Sequence, residues 1–187
     1  MKRSQINKAI VDASNYFASN CWSLPPQPSW DVTDFGLASF DSKGLVLINL
    51  ANEPEYCEKL MYAKRNQVTP EHYHKQKKED IICRVGELAV VLWTDIKDTQ
   101  TNKITVQINA EKREVEAGTE IILKAGERIT IYPYQWHKFY PISEECIIGE
   151  VSTANDDVND NFFLDEHIGR YPEILEDEPA LLKLLSE

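Results

Sequence analysis

The chain has 187 residues, of which 42% are hydrophobic and 27% charged, and its formal net charge is −11. That length suits one domain burying roughly 70% of its unfolded surface, so folding requires neither a disulfide framework nor a structural metal. The acidic balance excludes nucleic acid and anionic membranes as main partners, because both are met through a basic footprint.

The charge is unevenly placed. Residues 1–143 carry 18 acids and 18 bases, whereas residues 144–187 carry 13 acids and only two bases, Arg170 and Lys183. The second stretch therefore holds the whole net charge, and its acids beyond Asp165 are expected to be solvated. Cys21, Cys57, Cys83 and Cys146 form no CxxC pair, and the last three sit in apolar surroundings. They read as buried free thiols of a reducing compartment. The N-terminus lacks an apolar signal core, and no stretch approaches 18 apolar residues, so a cytoplasmic protein is expected.

Residues 5–20 are predicted to form an amphipathic helix, with Ile6, Ala9, Ile10, Ala13, Tyr16 and Phe17 along one stripe and Ser4 as its cap. The Pro-rich run at 24–28 ends it. Between residues 36 and 153, short Val-, Ile- and Tyr-rich segments alternate with turn-like breaks such as Val85-Gly86-Glu87 and Ala125-Gly126-Glu127. About ten strands at this spacing predict an all-β antiparallel sandwich or barrel, and the lack of βα alternation argues against a Rossmann or TIM arrangement. A short C-terminal helix is predicted from Asp177, with Pro179 in its first turn and Leu181, Leu182, Leu184 and Leu185 as its stripe. One domain results: 1–35 is an N-terminal helix and extension, 36–153 the barrel, and 154–187 an acidic C-terminal segment.

His72 and His74 are two residues apart, which on a strand points both rings to one face. Glu79 follows after the polar run Lys75–Lys78 and returns beside them if the two strands form a hairpin. His137, after the Gly126 turn, supplies a fourth donor from another strand. Imidazole and carboxylate donors without thiolate suit Mn²⁺, Fe²⁺, Co²⁺, Ni²⁺ or Zn²⁺ and leave positions open for chemistry.

The spacing His72-Tyr73-His74, four residues, Glu79, six residues, Gly86 resembles the first motif of the cupin superfamily, with Asn66 in place of the leading glycine. Gly126, six residues, Pro133 and His137 resemble its second motif, which here lacks the inner glycine and has Pro141 at the final asparagine. The resemblance implies a cupin-type antiparallel β-barrel (jelly roll) with the metal inside. Fold alone decides no chemistry.

The flanks carry a narrower likeness. Residues 72–82, Gly149-Glu150-Val151-Ser152-Thr153, Asn155-Asp156-Asp157 and Asp160-Asn161 with Phe163 resemble the cupin-type D-lyxose isomerases. This implies an aldose–ketose isomerase acting on free D-lyxose and D-xylulose, and on D-mannose and D-fructose. It also implies a Mn²⁺-preferring site and a homodimer. The reaction moves a proton from C2 to C1 through a cis-enediolate, which a divalent metal stabilises and a carboxylate base serves. Glu150 is the candidate base, since Ile148, Glu150 and Ser152 share one strand face. Lys77, two residues before Glu79, is the candidate for neutralising charge on O1. Asp157 and Asp160 are candidates for binding sugar hydroxyls, and Tyr134, Trp136, Phe139 and Phe162 for an apolar wall.

Rival readings remain at this level. Lys59, Lys64, Arg65, Lys75, Lys77 and Lys78 are close enough in sequence to suggest a phosphate clamp, hence an isomerase of glucose 6-phosphate or mannose 6-phosphate. Two histidines and a carboxylate also bind iron for dioxygen chemistry. A non-catalytic metal-containing sugar-binding cupin is a third reading.

Overall fold

The structure, a computed structural model, describes residues 1–97, 102–153, 156–169 and 173–187. Asn155, part of the segment matched above, lies outside them.

Two antiparallel sheets face each other. The larger has the order β1 (Ser29–Thr33), β2 (Leu45–Asn52), β3 (Cys57–Lys64), β12 (Glu145–Ser152), β5 (Glu79–Val85), β10 (Arg128–Ile131), β7 (Lys103–Ile108), β8 (Glu111–Glu116). The smaller has the order β13 (Phe162–Phe163), β4 (His72–Tyr73), β11 (Trp136–Pro141), β6 (Glu87–Trp93), β9 (Glu120–Lys124). This is the antiparallel jelly roll expected, with its sheets as two separate ladders. Between them lies a core that includes Leu47, Met61, Ile81, Leu92, Ile129 and Ile148.

Burial patterns follow the layers. Strands β9 and β11 alternate between buried and exposed residues because only one of their faces meets the core. Strands β2, β3 and β12 contain continuous buried runs because helix α1 (Arg3–Ser19) covers their outer face. There Ile6, Ile10, Ala13 and Phe17 pack with Ile48, Leu60, Tyr62 and Ile147. Strand β8 has the sequence EKREVE, which carries no strand-like apolar pattern and was not anticipated. It forms by pairing with β7, and its charges protect an exposed sheet edge. Strand β1, within the segment read as an N-terminal extension, is the sheet's other edge. A single turn, α2 (Phe40–Lys43), precedes β2.

Two expectations at the ends are corrected. Ser4 lies inside α1 and does not cap it from outside. The N-cap is Lys2, whose N–H donates to the Gln5 side chain at 3.1 Å. Asp177 accepts from the Ser4 N–H at 2.9 Å and from the Ser4 hydroxyl at 2.7 Å, so a distant carboxylate serves the positive end of the helix. The C-terminal helix is absent among residues 173–187, which run as an irregular strap along α1. So short a helix is marginal by itself, and contacts with α1 claim its backbone instead. The Leu181 N–H donates to the Asn7 side chain, the Leu185 N–H donates to the Trp30 carbonyl, and Leu184 is buried.

The strap's acids are not all solvated. Arg3, 1% exposed, donates to both carboxylate oxygens of Glu176 and of Glu187, at 2.6–3.1 Å. These bonds hold both carboxylates below the usual glutamate range. Their contribution to stability is therefore complete above a pH of about 4.3 and is lost as the pH falls through the lowered values. Arg3→Ala is expected to lower the melting temperature by on the order of 5 °C at pH 7. In thermal unfolding the gap from the unsubstituted protein should narrow below about pH 4, where the glutamates become protonated in both.

Candidate metal centre and sugar cavity

The first histidine pair comes from the smaller sheet. His72 on β4 pairs directly with His137 on β11, and His74 follows at the end of β4. Asn66, in place of the motif's glycine, adopts a φ of 78°, a left-handed conformation that asparagine tolerates. The turn before His137 likewise places Tyr134 at a φ of 66°, near the missing second glycine.

Glu79 begins β5 of the larger sheet, so no hairpin joins it to the histidines, contrary to expectation. Residues 75–78 instead cross from one sheet to the other. The result still brings the four residues together. The ligand atoms of His72, His74 and His137 lie within 4.8 Å of one another. Glu79 Oε1 lies 3.0 Å from His137 Nε2 and 3.5 Å from His74 Nε2.

The opposite ring nitrogens settle the proton positions. Nδ1 of His72, His74 and His137 donates to the carbonyls of Pro70, Asp160 and Gln135 at 2.8, 2.6 and 3.0 Å. A carbonyl only accepts, so each Nδ1 carries a proton, and in the neutral ring each Nε2 presents a lone pair. Burial, then the neighbouring His137 and His74, holds His72 well below its ordinary pKa and keeps it neutral. His74 Nε2, His137 Nε2 and Glu79 Oε1 are buried without a hydrogen-bond partner. With the rings neutral, lone pairs facing one another at 3.0–3.5 Å out of water favour a bound cation. Donors about 2.1 Å from one ion are roughly 3.0–3.4 Å apart at octahedral or tetrahedral angles. The four residues thus fit a divalent metal ion.

A second cluster adjoins the first on the inner face of the larger sheet. Lys77, almost fully buried, places Nζ 2.8 Å from Glu79 Oε2 and 3.1 Å from Glu150 Oε1. Burial opposes its charge, but Glu150 and Glu79 outweigh that and raise it above the ordinary lysine value. Burial likewise works against the charge on Glu79, which Lys77 and then His74 hold well below its ordinary range. Glu150 faces inward from β12, and its cross-strand neighbour on β3 is Lys59. Lys59 Nζ is 3.5 Å from Glu150 Oε1 and 3.3 Å from Asp157. The Ser152 hydroxyl also donates to Glu150 Oε1, at 3.2 Å. Glu150, Lys77, Lys59, Asp157 and Asn161 line one cavity together with His72, His74 and Glu79.

Several expected residues lie elsewhere. Asp160 does not line the cavity, because the backbone N–H groups of Lys75, Gln76 and Lys77 occupy its buried carboxylate. Trp136 precedes an inward His137 and therefore faces outward, where it packs on Tyr73. Phe162 pairs with Tyr73 and stacks on it from the same outer side. The apolar wall is Phe163, opposite His72 in the β13–β4 pair, with Phe35 and Phe139. The period of two shifted the aromatic assignment by one residue. Lys59 was missed as a cavity residue. Its signal was present: Cys57, Lys59, Met61 and Ala63 share one strand face, and a lysine on a buried face demands a partner.

The six basic residues grouped by sequence do not converge. Lys59 and Lys77 are paired inside the cavity, Lys64 pairs with Asp12, and Arg65 pairs with Glu144. Lys75 lies over the Phe162 ring and Lys78 over the Tyr132 ring.

Comparison with known proteins narrows the chemistry. The D-lyxose isomerase family model matches residues 27–187. The chain is 36% identical to the D-lyxose/D-mannose isomerase of Escherichia coli O157:H7, across 100% of this chain and 98% of that one. It is 34% identical to the D-lyxose ketol-isomerase of Thermofilum sp., across 78% of this chain and 82% of that one. Among solved structures, Cellulomonas parahominis L-ribose isomerase with L-ribose superposes with a TM-score of 0.70 at 16% identity, covering 94% of this chain and 98% of that one. That last likeness concerns the fold.

His74→Ala, His137→Ala and Glu79→Gln should each weaken Mn²⁺ binding by more than the roughly 10–100-fold cost of losing an outer-shell partner. Calorimetric titration of metal-free protein checks this, and unchanged affinity in all three variants would place the ion elsewhere.

Proposed function

Since the chain belongs to the D-lyxose isomerase family, a family of aldose–ketose isomerases, we propose that it interconverts D-lyxose with D-xylulose, and D-mannose with D-fructose. One observation carries the reading: a buried carboxylate, Glu150, stands between two buried ammonium groups in the cavity that the histidine–glutamate cluster lines. A divalent ion at that cluster, Mn²⁺ by the family likeness, supplies Lewis-acid stabilisation of negative charge on sugar oxygens.

The remaining work falls to side chains. Glu150 takes the proton from C2 as the C1 carbonyl becomes an enediolate and returns it to C1 as the carbonyl forms at C2, while the O2 hydroxyl proton passes to O1, so that no proton is gained or lost overall. Lys77, Lys59 and Ser152 all converge on Oε1, so the second oxygen, Oε2, is the one assigned to carry the proton. Lys77 spans Glu79 and Glu150, a position from which its ammonium can follow charge from the carboxylate to O1. Asp157 and Asn161 are assigned to sugar hydroxyls, and Phe163 with Phe35 to the apolar face of the carbon chain.

The phosphosugar reading loses support because the basic residues it needs are dispersed or already paired with carboxylates. A binding-only cupin leaves Glu150 and its two buried lysines without a task. The family likeness also supports a homodimer. The buried Cys57, Cys83 and Cys146 are free thiols, in keeping with a reducing cytoplasm, and among the described residues no helix is long and apolar enough to cross a membrane.

Purified protein with Mn²⁺ is expected to convert D-lyxose to D-xylulose and, in D₂O, to exchange label at the transferred position. No turnover of any free pentose or hexose with Mn²⁺, Co²⁺ or Ni²⁺ would overturn the assignment. Glu150→Gln should lower kcat by roughly 10²–10⁴-fold while Mn²⁺ still binds. Phe163→Ala should raise KM about tenfold, the scale of one lost apolar contact surface, whereas Phe162→Ala should leave KM within about twofold. Equal effects of the two substitutions in steady-state kinetics would contradict the assigned wall.

A further inference from the structure

The segment 156–164 is a strap across the site, and its attachments are more specific than packing requires. Asp160 is buried and binds the neighbouring crossover with both of its polar groups. Its carboxylate accepts three consecutive backbone N–H groups: Lys75 at 2.8 Å and Gln76 at 3.2 Å on Oδ1, and Gln76 at 3.1 Å and Lys77 at 2.9 Å on Oδ2. Its backbone carbonyl accepts the Nδ1–H of His74 at 2.6 Å. One residue therefore holds a metal-site imidazole at the end of β4 and the backbone of the lysine that faces Glu150.

This arrangement answers a mechanical problem set by the topology. Residues 75–78 leave one sheet and enter the other, so no ladder hydrogen bonds fix Lys77 relative to His74. Successive N–H groups turned to one side form an anion-binding concavity, and here a carboxylate from elsewhere in the chain fills it. Asp160 is itself anchored: its N–H donates to the Asp156 carbonyl at 2.9 Å, and two residues on, the β13–β4 pair begins.

We propose that Asp160 is a positioning residue for the reaction: through its carboxylate it sets Lys77 between Glu79 and Glu150, and through its carbonyl it fixes the tautomer and ring angle of His74. The catalytic half of this inference rests on the isomerase reading, while the structural half does not. The two groups are separable by mutation. Asp160→Asn keeps the carbonyl but turns an NH₂ group toward backbone donors. Asp160→Ala removes every carboxylate bond and loosens the strap that presents the carbonyl.

The test uses full-length Co²⁺-loaded and Mn²⁺-loaded protein. Asp160→Asn is expected to lower kcat about tenfold with KM within about threefold and with the visible Co²⁺ absorption unchanged. Asp160→Ala is expected to lower kcat by roughly 100-fold, to weaken Mn²⁺ binding roughly tenfold, and to change the Co²⁺ spectrum. Asp160→Glu, which restores the charge, should recover part of the loss in kcat. Hydrogen exchange of the Lys75–Lys77 amides should quicken in the Asn and Ala variants while global thermal unfolding moves little. An unchanged kcat in Asp160→Ala, or a fall matched only by a fall in global stability, would overturn the proposal. If the unsubstituted protein turns over no sugar, the isomerase reading fails, while the Co²⁺ spectrum and amide exchange still decide whether the clasp exists.

Discussion

The structure depends on one unfavourable contact. Glu79 Oε1 and His137 Nε2 face each other at 3.0 Å, buried, and with a neutral ring both present lone pairs. Every Nδ1 is committed to a carbonyl, so the rings cannot relieve the repulsion by changing tautomer. A cation held there would resolve it and would tie the sheets together, because the histidines belong to the smaller sheet and Glu79 to the larger.

The neighbouring charges extend that balance. Glu79, Glu150 and Asp157 face Lys59 and Lys77 in the buried cluster. In the proposed reaction, moving a proton from C2 to Glu150 would shift the negative charge from the carboxylate to the sugar oxygens without changing the total. Burial therefore does not oppose the step, and Lys77 lies along the path of that shift. Two lysines this deeply buried would be costly unless paired, so the sheet's cross-strand register, Lys59 opposite Glu150, is an electrostatic requirement as much as a packing one.

Much of the metal cluster was legible because it rests on short-range periodicity. His72 and His74 share a face by the strand period of two, even though β4 spans only His72–Tyr73. Glu150 was legible for the same reason. The route of Glu79 was not, because a polar run of four residues reads equally as a hairpin turn or as a crossing between sheets. The one-residue aromatic shift has a related cause: nothing local shows which of two adjacent phenylalanines pairs opposite His72. Strand β8 and the C-terminal strap were illegible because tertiary pairing overrides their local preferences. A run of charged residues becomes an edge strand, and a leucine-rich tail becomes an irregular strap because α1 offers its backbone better partners than its own turn does.

The uneven charge is likewise a division of structural tasks. Of the 13 acids in residues 144–187, Glu150 and Asp157 meet buried lysines and Asp160 fills the crossover's N–H groups. Glu176 and Glu187 clamp Arg3, and Asp177 serves the first turn of α1. These two sets act on opposite faces of the same strands. Helix α1 packs on the outer residues Ile48, Leu60, Tyr62 and Ile147 of β2, β3 and β12, while β3 and β12 present Lys59 and Glu150 inward. The alternation that sends Leu60 outward is the one that sends Lys59 inward. Displacing the helix would therefore expose the back of the wall on which Glu150, the proposed base, stands, and the acidic tail stabilises the site from outside without touching the cavity.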